Sequence, residues 1–129
     1  MIAVGGYRRE PGSVAKARRI ATQAYAAYPW IDRSVVELLV SEAVTNAVLH
    51  AEGSHFYLVC HSPSPVDGSV QVEVHDCGAT LPRRRQPTEL AESGRGLALL
   101  DQLAAAWRTE LTTGGKSLIF TLGGGACRA

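Results

Sequence analysis

Between Ser34 and Leu49 apolar residues fill two adjoining stripes of a helix: Val35, Leu38, Leu39 and Leu49 on one, and Val36, Val40, Ala43, Val44, Ala47 and Val48 on the next. Successive helical residues turn by about 100°, so Glu42 and Asn46 stand one turn apart on the first stripe. The pattern predicts a largely buried helix to about Leu49, with Ser34, Glu37, Ser41 and Thr45 left for water. Ser34 and Glu37 have the spacing of a capping box at its start. Upstream, Ala17, Ile20, Ala21, Ala24 and Tyr28 recur every three or four residues, which predicts an amphipathic helix from Val14 to Tyr28 stopped by Pro29. Pro11, Gly12 and Ser13 offer that helix its cap, and Ile2 to Arg8 reads as a short edge strand before it.

Downstream the period shortens to two. Ser54 to His61 and Ser69 to Asp76 read as strands of a hairpin, joined by the turn chemistry of SPSPVDG. Residues 79–93 carry no sustained period and have the length of a functional loop. Gly96 to Ala106 reads as a third helix. Arg108 to Thr112 and Ser117 to Leu122 read as strands around Thr113, Gly114 and Gly115, and GGGACRA as a frayed end. Helices interleaved with hairpins predict an α+β layer with an antiparallel or mixed sheet, in one domain over residues 1–129.

Composition narrows the function classes. Thirteen basic against 12 acidic residues leave a net charge of +1, so no global field draws the chain to nucleic acid or an anionic membrane. Cys60, Cys77 and Cys127 are an odd number without a Cys-x-x-Cys pair, which argues against a disulfide framework or zinc site. No apolar run approaches the roughly 18 residues of a membrane helix, and a cytoplasmic location is expected.

Three places carry candidate chemistry. Burying Glu42 without a partner costs several kcal/mol, so Glu42 and Asn46 need either a neighbouring backbone or a metal or ligand. Asp76 shares the parity of Val70, Val72 and Val74, so it aims between sheet and helices. There, with Gly78 beside it, it is either a strand-ending turn residue or an acceptor for an exocyclic amine such as that of adenine. Ser93-Gly94-Arg95-Gly96 precedes the apolar LALLDQLAAA, and a helix start offers free N–H groups to phosphate, although a flexible linker looks the same. Gly115-Lys116-Ser117 is not a P-loop, because Glu110 stands where that motif needs glycine. His50, His55, His61 and His75 lack metal-ligand spacing, and Arg83 to Arg85 reads as a solvated loop face.

In order along the chain, ELLVSEAVTNAVLHA, VEVHDCG and SGRGLALLDQLA resemble the N-box and the two glycine boxes of the GHKL superfamily of gyrase, histidine-kinase and chaperone ATPases, with the anti-sigma-factor serine kinases most similar. The resemblance implies the Bergerat (histidine-kinase-like ATPase) fold, a two-layer α/β sandwich with a mixed, mostly antiparallel sheet and ATP between the layers. It implies that Asn46 coordinates Mg²⁺, that Glu42 is the general base towards a serine hydroxyl or water, and that Asp76 binds adenine with Gly78 beside it. Gly94 and Gly96 would hinge an ATP lid, with Arg95 and Leu97 at the helix start near the phosphates.

Two departures stand out. Ala79, Thr80 and Leu81 occupy positions where the family often has a further glycine. Lys116 and Ser117 follow Gly115 where a Gly-Thr pair is usual, leaving Ser117 or Thr121 to supply the hydroxyl. The resemblance further implies a serine kinase that phosphorylates an anti-anti-sigma antagonist and sequesters a sigma factor, commonly as a homodimer. A noncatalytic ATP-dependent binding module is the competing expectation. A histidine kinase would need a further helical domain with its own acceptor histidine, for which this length has no room.

Overall fold

The computed structural model describes residues 1–50, 53–76 and 94–123. Among the described residues eight elements follow one another: β1 (Ala3–Arg8), α1 (Gly12–Ala24), α2 (Arg33–His50), β2 (His55–Cys60), β3 (Val70–Asp76), α3 (Gly94–Leu103), β4 (Ala106–Thr112) and β5 (Gly115–Leu122). The strands form one sheet in the order β1-β2-β3-β5-β4, with every pairing antiparallel. The helices lie on one face. This is the two-layer α+β arrangement expected of a Bergerat-type fold.

Alternation along the strands builds the core. Register pairs Val70, Val72 and Val74 with Leu122, Phe120 and Leu118, and pairs Leu58 and Cys60 with Val74 and Val72. All of these are buried on the helix side with Phe56. Against them stand Ala17, Ala21 and Tyr25 of α1, Leu100 of α3, and Val36, Leu39, Val40, Ala43, Val44 and Ala47 of α2. Removal of this apolar surface from water is the main term holding the layers together.

α2 is apolar on more than one stripe because α1 and α3 flank it while β3 lies beneath. Its burial is nonetheless less complete than the sequence suggests: Leu38 is 39% and Leu49 65% exposed. Asp32 starts it, with Oδ1 accepting the N–H groups of Ser34 at 2.8 Å and Val35 at 3.3 Å. The Ser34–Glu37 capping box does not form; Glu37 pairs instead with Arg33 at 3.2 Å on the exposed side.

α1 also differs at both ends. Ser13 lies inside the helix and is buried rather than capping it; Pro11 precedes the first turn without a side-chain cap. The helix stops at Ala24, four residues early, because Tyr25 turns inward and donates its hydroxyl to His61 O at 2.9 Å. Tyr28 and Trp30 then pack edge to face, and Trp30 Nε1 donates to Gly68 O at 2.8 Å. α3 begins at Gly94 and ends at Leu103, earlier than expected at both ends, and Trp107 Nε1 ties β4 to it through Asp101 at 2.6 Å.

Candidate functional site

Asp76 is the last residue of β3 and 7% exposed. Its place on the helix-facing parity follows from the Val70-Val72-Val74 alternation, and register sets it opposite Phe56 on one side and Lys116 on the other. The Lys116 backbone N–H donates to Asp76 Oδ1 at 3.3 Å. A Cβ built on Gly115 would collide with the Asp76 carbonyl oxygen and stand 2.5 Å from Oδ1. Glycine at this position is therefore what lets β5 run so close to the carboxylate.

Asn46 comes to the same place from the helix layer. With Ala43 and Ala47 of α2 it lines a cavity of about 30 Å³ shared with Val74, Asp76, Thr109, Lys116, Ser117 and Leu118. Residues 30 positions apart in the chain thus meet at one site, an amide and a carboxylate over an apolar floor. Glu42 is half-buried one helical turn before Asn46 and is not among the cavity-lining residues. Among the described residues neither the Glu42 nor the Asn46 side chain has a hydrogen-bond partner, so no described backbone group serves this pair.

Gly94, Arg95, Gly96 and Leu97 form the first turn of α3 rather than a segment leading into it, and α3 packs beside α2. Gly78, the 79–93 loop with Arg83 to Arg85, the Ala79-Thr80-Leu81 departure, Cys77, Cys127 and the rest of the GGGACRA end after Gly123 lie outside the described residues.

Of the two expected hydroxyl residues, Ser117 lines the Asp76 cavity and Thr121 does not. Ser117 is 1% exposed and stands opposite His75 in register, whereas Thr121 stands opposite Gln71. Thr109, paired with Leu118, brings a hydroxyl to the α2 side. Thr109 shares the parity of Trp107, and the pairing of β4 with β5, not alternation by itself, turns that side towards α2. Lys116, in the Gly115-Lys116-Ser117 run that is not a P-loop, also lines the cavity.

On the opposite face Glu73 is bridged by two histidines, His61 through a very short contact and His75 Nε2 at 2.7 Å. Burial raises the Glu73 pKa, but the hydrogen bonds from both histidines and their charges outweigh it and hold it below the usual glutamate value. Burial pushes the Cys60 thiol up to about 11, an effect that the neighbouring Tyr25 hydroxyl only partly offsets, as suits a core residue without reactive chemistry.

The donors at the cavity suit a hard cation held mainly by something else. No group of three or more His, Cys, Asp or Glu among the described residues is placed to hold a metal ion. The amide oxygen of Asn46 would fit Mg²⁺, which takes one or two protein oxygens and completes its shell with phosphate and water.

Comparison with known proteins agrees with this geometry. The family described as histidine kinase-like ATPase domain matches residues 7–122. Among solved structures, the histidine kinase domain of a blue-light-activated histidine kinase from Erythrobacter litoralis is similar, with 20% sequence identity and a TM-score of 0.50; the likeness covers 85% of this chain and 60% of that one. The chain thus spans less than two thirds of that domain, and identity at this level speaks for the fold alone. No curated protein matches. Among the described residues no helix is long and apolar enough to cross a membrane. With the match running from β1 to the end of β5, this chain belongs to the histidine kinase-like ATPase domain family and is a GHKL-type ATP-binding domain.

Proposed function

We propose that this domain is an Mg²⁺-dependent protein serine kinase of the anti-sigma type, passing the γ-phosphoryl group of ATP to a serine of an antagonist protein and sequestering a sigma factor. The supporting observation is the meeting of Asn46 and Asp76 at one cavity, with Glu42 one turn away on the same helix. Asp76 would accept a hydrogen bond from the adenine amine, and Asn46 would take part in holding the cation that bridges the phosphates. The working unit would be a cytoplasmic homodimer presenting a joint surface to the sigma factor.

In the transfer step the serine oxygen forms a bond to the γ-phosphorus while its proton passes to the Glu42 carboxylate. The bond from the γ-phosphorus to the β–γ bridging oxygen breaks, and ADP departs. A half-buried base outside the cavity suits a hydroxyl delivered by another protein. The same placement favours a second reading, a noncatalytic module whose nucleotide state regulates a partner, because no described residue orients the carboxylate.

A transfer assay with radiolabelled ATP and the purified antagonist separates the two. Glu42→Ala is expected to keep nucleotide binding and to lose about 10²- to 10⁴-fold in transfer rate, the usual effect of removing a general base. Asn46→Ala is expected to weaken Mg²⁺–ATP binding as well. Full transfer by Glu42→Ala removes it as the base; no transfer by the native protein across candidate antagonists favours the noncatalytic module.

A further inference from the structure

Arg9 follows β1 directly, and its backbone N–H donates to Ser54 O at 2.9 Å, which extends the β1–β2 ladder by one rung. From this anchored position its guanidinium reaches three carbonyls: Nε to Ala47 O at 3.1 Å, Nη2 to Val48 O at 2.9 Å and Nη1 to Gly53 O at 2.6 Å. Ala47 and Val48 lie in the last turn of α2, where the final carbonyls have no partner within the helix. A cation there satisfies those oxygens and meets the negative end of the helix dipole. The planar fork of arginine holds neighbouring carbonyls at once in a way a point-like ammonium does not.

Ala47 is the residue after Asn46, and both line the cavity that contains Asp76. Fixing the Ala47 and Val48 carbonyls fixes the two peptide planes that follow Ala47, the residue next to Asn46, and so limits how far the last turn can fray or rotate under the Asn46 side chain. We propose that Arg9 is a positioning residue for the nucleotide site: by clamping the end of α2 to the β1–α1 junction it holds the Asn46 amide where it meets the cation accompanying ATP. The proposal rests on the role given to Asn46 above. Every hydrogen bond of the Arg9 guanidinium goes to a main-chain carbonyl, so its effect passes through α2 rather than through contact with ligand.

The test uses the full chain with Arg9→Gln and Arg9→Lys. ATP is titrated calorimetrically with Mg²⁺ and again in EDTA, and the ratio of the two dissociation constants reads the share of binding that depends on the cation. Loss of a residue that orients a metal ligand typically costs about 10- to 100-fold in metal affinity. The ratio is therefore expected to fall at least tenfold in Arg9→Gln and less in Arg9→Lys, with affinity in EDTA unchanged. A residue that only stabilised the fold would leave the ratio intact. In the ligand-free protein, amide hydrogen exchange over residues 46–50 should quicken in both variants relative to residues 36–44, and this readout stands in Arg9→Lys if Arg9→Gln does not fold. A native-like ratio in a folded variant, or unchanged exchange at the end of α2, overturns the proposal. A native protein with no Mg²⁺ advantage overturns the reading of Asn46 itself and takes the proposal with it.

Discussion

Replacing Gly115 with alanine adds one methyl group where β5 passes Asp76 most closely. That methyl would collide with the Asp76 carbonyl oxygen and stand 2.5 Å from Oδ1 and 3.1 Å from the carbonyl carbon. Two of these atoms are main chain and cannot rotate away, so β3 and β5 must part or the carboxylate must swing out. Overpacking of this kind costs about 1–3 kcal/mol. At about 4 °C per kcal/mol for a chain of this size, the thermal midpoint should drop by roughly 4–12 °C. The 3.3 Å hydrogen bond from the Lys116 N–H to Oδ1 is disturbed at the same time. If the displaced carboxylate loses its bond to the adenine amine, about 1.5–3 kcal/mol of binding goes with it, roughly a 10- to 150-fold weaker ATP affinity. Gly114→Ala is the control: nothing lies within 4 Å of a Cβ there, and neither glycine has a positive φ. Thermal unfolding and calorimetric titration of both variants decide the matter. A Gly115→Ala protein with native midpoint and native affinity, or a Gly114→Ala protein equally impaired, would refute the close-approach argument.

Asp76→Asn should weaken ATP by roughly tenfold or more while moving the thermal midpoint by only a few degrees, since it exchanges acceptor for donor without emptying space; equal affinity removes Asp76 from the site. Glu73 has a folded-state pKa below its unfolded value, so the stability it contributes is present above about pH 4.5 and lost as pH falls through the lowered value. Denaturant midpoints measured down that acid limb should fall less steeply in Glu73→Gln than in the native chain, and identical slopes would show that the two histidines do not act on Glu73 in solution.

Legibility in the sequence followed the range of the interactions. β3 was readable because Val70, Val72, Val74 and Asp76 declare their parity within seven residues, and the same count placed the carboxylate on the helix side. The start of α2 was not, because Asp32 and Ser34 are both competent caps and only the observed hydrogen bonds choose Asp32. The end of α1 looked set by Pro29, yet Tyr25 leaves the helix for a carbonyl 36 positions away. At the site, which hydroxyls reach the cavity depends on how β4 pairs with β5, which strand alternation alone does not supply; Thr109 therefore lines it beside Ser117 without a local signal. Arg9 had no local signal, since its partners lie 38 to 44 positions along the chain.

The central claim is that Asn46 and Asp76 belong to one adenine-nucleotide site between helix layer and sheet. Calorimetric titration of ATP with Mg²⁺ into the desalted, folded native chain, repeated with Asp76→Asn, tests it most directly. Saturable binding of one nucleotide per chain, weakened in the variant, is the predicted result. The absence of heat or saturation from native protein whose fold is verified in the same buffer would contradict it.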